Sequence, residues 1–77
     1  MKTNKINALL SLKNKSTADY INELNISRQS YWFKTKNDRF NADDLLKLAK
    51  ITNTKLAFID DQKQILITFD DEDIQQK

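Results

Sequence analysis

"NISRQSYWFKTKND", residues 25–38, sets three aromatic side chains in a row among basic and polar ones. Its first three residues read as a turn into a helix. Asn25 tolerates the left-handed conformation, Ile26 turns inward, and Ser27 supplies an N-cap hydroxyl. The helix predicted from Arg28 to about Lys36 advances about 100° per residue, so Tyr31, Trp32 and Phe33 cannot share one face. With Tyr31 and Thr35 inward, Gln29, Phe33 and Lys36 point out. Trp32 then lies on one flank, and Ser30 and Asn37 on the other. The competing arrangement packs all three rings on parts of a small core.

The residues around this segment repeat the same grammar. Upstream, Ser16 with Asp19 three residues later reads as a capping box opening a short helix, whose Tyr20, Ile21 and Leu24 make an apolar face ending at Asn25. Before that, Ile6, Leu9, Leu10 and Leu12 lie at helical spacing over residues 4–13, with Thr3 or Asn4 as N-cap. Downstream, Asn37-Asp38 ends the central helix. Asn41 with Asp44 opens a fourth, which buries Leu45, Leu46, Leu48 and Ala49 and runs to about Thr52. Glycine and proline are both absent, so positions that need a positive φ fall to Asn or Asp, with Asn25, Asn37 and Asn53 as the stops.

The period then changes. "KLAFID" and "QILITF" are short β-branched and aromatic runs separated by polar residues, which predicts a hairpin. A two-residue loop at Asp61-Gln62 would set Phe58 opposite Ile65 and Leu56 opposite Ile67, with Phe58 and Ile67 buried. The expected fold is mainly α: four short helices followed by a C-terminal β-hairpin. It forms a single domain over residues 1–77, with a helical core at 4–54, the hairpin at 55–70 and an acidic, frayed tail at 71–77.

Seventy-seven residues is near the lower limit for a chain that buries its core unaided, and there is no cysteine to staple it. Net charge is +2. Residues 1–59 hold eleven Lys and Arg against five Asp and Glu, whereas residues 60–77 hold two against six. A basic body suits an anionic partner; solubility charge that happens to segregate is the alternative. The N-terminal apolar stretch is too short and interrupted for a signal peptide or membrane span, so the expectation is a cytoplasmic protein without membrane contact. Catalysis has little to stand on. There is no histidine or cysteine and no glycine-rich phosphate loop, and most carboxylates crowd the chain end. No catalytic residue, metal ligand or cofactor is assigned.

Two short helices joined by a three- or four-residue turn make a helix-turn-helix, whose second helix can enter the major groove of DNA. Gln29 can read adenine by paired hydrogen bonds, and Arg28 or Lys36 can reach guanine or phosphate. Phe33 and the edge of Trp32 can touch thymine methyls. The helix start at Ser16 and Thr17, aided by Lys15, can hold a phosphate, and Lys34, Arg39 and Lys50 add to the field.

"STADYINELNISRQSYWFKTKNDRFNADDLLKLAKITNT" resembles the helix-turn-helix core of phage repressors and Cro, the lambda-repressor-like or XRE-type family. Asn25-Ile26-Ser27 matches the family's turn, and Asp43 to Lys50 its later helix; the resemblance covers roughly residues 4–54. It implies sequence-specific binding of double-stranded DNA, usually by a homodimer and for transcriptional control, as in a phage or mobile-element repressor of Cro type. Carried over, base contacts fall on Arg28, Gln29, Ser30, Trp32, Phe33 and Lys36, and phosphate contacts on Lys15, Ser16, Thr17, Asn37 and Arg39. The sequence departs from the family at Asn25, where glycine is usual, and at Lys34, where an aliphatic residue is normally buried. Either Lys34 snorkels, or the helix turns so that Trp32 or Phe33 fills its place.

"QILITF" is apolar on both faces, so a dimer interface is expected at Ala57, Ile59, Leu66 and Thr68. The rival partner is a host protein, since protein interfaces favour Trp, Tyr and Phe.

Overall fold

Residues 2–73 are described by a computed structural model of the chain. Four helices come first: α1 (Lys2–Leu12), α2 (Thr17–Leu24), α3 (Arg28–Asn37) and α4 (Ala42–Thr52). Strands β1 (Leu56–Ile59) and β2 (Ile65–Phe69) then form an antiparallel hairpin, and a 3₁₀ turn at Asp71–Asp73 closes the described chain against α4. The expected acidic tail begins with that turn, and residues 74–77 lie outside the described residues.

Each helix is bounded by local chemistry. At α2 the Ser16 hydroxyl accepts from the Asp19 N–H at 3.1 Å, and the Asp19 carboxylate accepts from the Ser16 N–H at 2.9 Å. Asn41 and Asp44 repeat the reciprocal pair at α4. Ser27 caps α3 by accepting from the Ser30 N–H. The helices end on left-handed residues at Asn14, Asn25, Asp38 and Asn53, with φ between 53° and 57°. In a chain without glycine these are the residue types that reach this region at least cost. Asp38, not Asn37, holds the stop after α3; Asn37 stays helical and its side-chain amide donates to the Phe33 carbonyl at 2.9 Å.

Asp38 has a second task. Its carboxylate accepts from the Thr3 N–H at 3.1 Å and the Thr3 hydroxyl at 3.2 Å, and lies 3.5 Å from the Lys2 ammonium. The residue that stops α3 thus caps the first turn of α1, and Thr3 lies within α1 rather than before it. Desolvation pushes the Asp38 carboxyl upward. The N–H groups of Thr3 and Lys2, the Lys2 charge and the Thr3 hydroxyl outweigh it, so its pKa falls below the ordinary carboxylate value. Asp19 is lowered too, first by the Ser16 N–H and then by the Ser16 hydroxyl.

The core gathers Ile6 and Leu10 from α1, Tyr20, Ile21 and Leu24 from α2, Tyr31 from α3, and Leu48 from α4. Phe40, in the link between α3 and α4, completes it. Its ring stacks on Tyr20 at 6.3 Å, while Tyr31 meets both edge-on at about 6 Å. Leu9 and Leu45 are only partly buried against this cluster, and Leu12 is exposed on the far side of α1. The Tyr20 hydroxyl donates to the Asp44 carbonyl at 2.7 Å. Burial, then the Asp44 charge, then Tyr31 raise its pKa well above the usual tyrosine value, so it remains a neutral donor.

Lys34 snorkels. Its ammonium lies 2.7 Å from Asp44 Oδ2 and 6.0 Å over the Phe40 ring, and its side chain is 23% exposed. Helix α3 therefore keeps Tyr31 inward and has no need to turn Trp32 or Phe33 into the core.

The hairpin departs from its expected register. Leu56 faces Phe69, Ala57 faces Thr68, Phe58 faces Ile67 and Ile59 faces Ile65, with an irregularity after Phe58. A two-residue hairpin turn requires positive φ at both central positions (type I′) or at the first, where glycine is preferred (type II′), and Asp-Gln favours neither. Instead the Asp60 carboxylate accepts from the N–H groups of Gln62 and Gln64, the Asp60 carbonyl accepts from Lys63, and Lys63 alone is left-handed. The shift is two residues at Phe58 and Leu56, so each strand keeps the same set of side chains on each face. Phe58 and Ile67, expected in the core, are 65% and 54% exposed. Helix α4 meets β1, and Leu56, Ala57, Phe58 and Phe69 of the hairpin line, with Ala42, Leu45 and Leu46, a groove of about 380 Å³.

Lys34→Met should lower stability by about 1–2 kcal/mol in urea denaturation. It keeps the packing but removes the cation beside a carboxylate that retains the Asn41 N–H. The loss should shrink in an Asp44→Asn background.

Acid should weaken the fold in a defined window. Asp19 and Asp38 have folded pKa values below their unfolded ones, so their contribution is complete above the ordinary carboxylate range and is lost as pH falls through the folded values. Thermal melts from about pH 6 down to about pH 2 should show stability dropping below about pH 4, with a shallower drop in Asp19→Asn and Asp38→Asn.

Candidate nucleic-acid interface

The packing of Tyr31, 1% exposed, fixes what the rest of α3 presents. Trp32 and Phe33 are 59% and 57% exposed, and Arg28, Gln29, Ser30, Lys36 and Asn37 are exposed beside them. The indole rests edge-on against Tyr31 with ring centroids 6.2 Å apart, so its orientation is set from the core side.

These groups are not equally available. Arg28, Gln29 and Lys36 make no side-chain hydrogen bond or ion pair among the described residues. Ser30 is tied at its hydroxyl, which accepts from Ser27 at 3.0 Å. Asn37 gives one amide N–H to the Phe33 carbonyl of its own helix and keeps the other N–H and its amide oxygen. Arg39 is exposed just past α3, its carbonyl approached by Lys34.

A cleft of about 690 Å³ runs between α1, the start of α2 and α3. It brings together five of the residues singled out from sequence: Lys15, Ser16, Thr17, Trp32 and Lys36. The α1 wall is lined by Thr3, Asn4, Asn7, Leu10 and Ser11, and among these Asn4, Asn7 and Ser11 form a polar edge to which the sequence reading gives no binding role. Their spacing of three and four residues is itself a signal, a polar stripe on one helical face. Arg28, Gln29, Ser30, Phe33, Asn37 and Arg39 are not among the residues lining the cleft.

Electrostatically the cleft is suited to an anion. Lys15 and Lys36 are exposed at its border. At the α2 start the capping box consumes the N–H groups of Ser16 and Asp19, which leaves those of Thr17 and Ala18 without an intrahelical partner. Two lysines expected to add to the field are otherwise engaged: Lys34 with Asp44, and Lys50 with Glu23 at 3.7 Å.

The hairpin residues Ala57 and Thr68 face one another across the ladder, with Ala57 partly buried and Thr68 exposed. Ile59 and Leu66 are open to solvent, Leu66 at 66%. Among the described residues no helix is long and apolar enough to cross a membrane, and no group of three or more metal-ligating side chains converges.

Comparison with known proteins returns no matching family model, no matching curated protein and no matching solved structure, so the geometry above is what a functional reading has to rest on.

Proposed function

We propose that the chain is a sequence-specific double-stranded DNA-binding regulator of the lambda-repressor-like, Cro or XRE type, acting as a homodimer to repress transcription in a phage or mobile element. The observation that carries this reading is the exposed face of α3. Burial of Tyr31 on one side leaves Gln29, Trp32, Phe33 and Lys36 projecting on the other, next to a cleft with free N–H groups and two lysines. In this reading α3 enters the major groove, Arg28, Gln29 and Lys36 reach base edges, and Lys15, Ser16, Thr17 and Arg39 follow the phosphate backbone. Ser30, whose hydroxyl accepts from Ser27 and keeps its own O–H to donate, reaches bases with them, and Asn37, whose amide oxygen is unused, joins the phosphate contacts. Such a protein works in the cytoplasm, where accessible duplex DNA lies.

A second reading, docking on a host protein through α3, draws on the same two rings, because Trp32 and Phe33 form a more apolar face than DNA contact usually requires. Salt separates the two. Phosphate contacts make affinity fall steeply with added salt, and an aromatic interface gives a shallow dependence.

Selection of bound sequences from a pool of random duplexes should return one motif. Gln29→Ala should then cost about 1–3 kcal/mol at that site and relax the preference. Lys36→Ala should weaken binding at that site alone if it meets a base, or at all sequences alike if it meets phosphate. A pool returning no motif, or both variants binding like the parent, would refute the groove assignment.

The dimer is supported by the hairpin, where Phe58, Ile59, Ile65, Leu66 and Ile67 are all more than half exposed. Two open strand edges carrying that much apolar surface favour pairing with a second chain. The face bearing Ala57, Ile59, Leu66 and Thr68 is the proposed contact. Sedimentation equilibrium at micromolar concentration should give twice the chain mass, and Leu66→Lys should halve it. A parent mass that stays monomeric to high concentration removes the dimer.

A further inference from the structure

We propose that the cleft between α1, the start of α2 and α3 is an effector site for a free nucleoside monophosphate, and that its occupation and duplex binding exclude one another. The ligand site stands on the cleft itself; the antagonism rests on the duplex-binding reading above.

The cleft has the size and the floor of a small-molecule site. Its volume of about 690 Å³ falls within the range of about 300–1,000 Å³ that such ligands occupy. Two core residues, Leu10 and Tyr31, line its floor and are 3% and 1% exposed. The Tyr31 hydroxyl is sealed from solvent and has no hydrogen-bond partner among the described residues, an unfavourable state for a buried polar group. Tyr20, packed edge-on against it, donates to the Asp44 carbonyl. Tyr31 thus carries a bonding capacity that the protein leaves unused, and a ligand seated deep in the cleft can take it up.

The walls define what that ligand is. Along α1, the side chains of Asn4, Asn7 and Ser11 make no hydrogen bond among the described residues. From Asn4 to Ser11 the helix rises about 10 Å, which is too long for a single oxyanion. Asparagine offers donor and acceptor together, as the mixed edge of a heterocyclic base requires. On the α3 side the exposed indole of Trp32, propped on Tyr31, is a stacking surface for that base.

Both ends of the cleft are cationic. At one, Lys15 and the unbonded N–H of Thr17 suit a phosphate. The Asp19 carboxylate in that turn accepts from the Ser16 N–H and is not among the lining residues. At the other, the Thr3 hydroxyl donates to the Thr35 carbonyl at 3.4 Å, which brings the end of α3 against the start of α1, and Lys36 borders the cleft there. Its ammonium suits the O6 and N7 acceptors of guanine. A phosphate site, a stacking ring and an acceptor-seeking cation in this order match a nucleotide. Lys15, Thr17, Trp32 and Lys36 are also groups assigned above to duplex DNA, so a bound nucleotide takes them from it.

The probe is guanosine 5′-monophosphate. Trp32 is the sole tryptophan, so its fluorescence should be quenched saturably as the cleft fills. In calorimetry, guanosine and inorganic phosphate should each bind at least about tenfold more weakly, and Trp32→Ala should lose about tenfold in affinity for the nucleotide. Asn7→Ala should weaken nucleotide binding and leave duplex affinity unchanged. Tyr31→Phe should lower nucleotide affinity severalfold without lowering the melting temperature, because the hydroxyl it removes has no partner in the free protein. The nucleotide should also release the duplex recovered by selection, at a midpoint that rises with duplex concentration. Absence of saturable quenching overturns the site. So does inorganic phosphate binding as well as the nucleotide, or parent-like nucleotide binding by both Asn7→Ala and Tyr31→Phe. A 5′-phosphorylated trinucleotide that binds more tightly than the monophosphate assigns the cleft to a strand end and overturns the effector role. Quenching without release of a bound duplex overturns the antagonism. If no duplex is bound at all, the duplex reading fails while the titration still decides the nucleotide site.

Discussion

Asp44 is the point at which three helices are tied. Its carboxylate accepts from the Lys34 ammonium and the Asn41 N–H, its own N–H donates to the Asn41 side chain at 2.8 Å, and its carbonyl accepts from Tyr20. One residue thereby starts α4, anchors α2 and sets the rotation of α3 about its axis. A lysine at an inward position would ordinarily be expelled, and the helix would roll to put a ring in its place. The pairing makes the lysine acceptable, and the aromatic residues stay outside. A largely buried ion pair of this kind is not strong evidence for net stabilisation over an apolar substitute; its consequence is orientation.

From that orientation follows the character of the outer surface. A small domain ordinarily spends its Trp and Phe side chains on its core. Here the tyrosines and Phe40 do that work, and Trp32, Phe33 and Phe58 are left at the surface. The molecule therefore presents two apolar regions on different elements, one on α3 and one on the hairpin, and in the proposed function they serve different partners, DNA and a second copy.

What the sequence makes legible is what is local. The pairs Ser16–Asp19 and Asn41–Asp44 announce their helices because a capping box is a three-residue event, and Tyr31 is separable from its neighbours because a helix turns about 100° per residue. The stop at Asp38 rather than Asn37 is a choice between two residues that both tolerate the left-handed region, and it is decided by the Thr3 N–H, thirty-five residues away in sequence. Phe40 lies outside every periodic window, so no pattern marks it as core. The hairpin register depends on the Asp60 carboxylate closing a longer turn, and the exposure of Phe58 and Ile67 depends on how much of the hairpin α4 covers. At the candidate site, the outward set on α3 follows from spacing, whereas the bond that draws Lys34 inward to Asp44 depends on how α3 and α4 pack.

The absence of proline and the left-handed Asn and Asp stops have a kinetic meaning. The starts and stops of α2 and α4 are encoded within a few residues of themselves, so these elements can form before distant parts of the chain meet, the condition under which small domains fold quickly. With no X-Pro bond in the chain, refolding carries none of the tens-of-seconds phases that prolyl isomerisation imposes. Among the described residues, the long closure written into the caps is the clamp of Asp38 on Thr3, which joins the end of α3 to the first turn of α1. A freshly synthesised chain can therefore assemble without waiting on an isomerase.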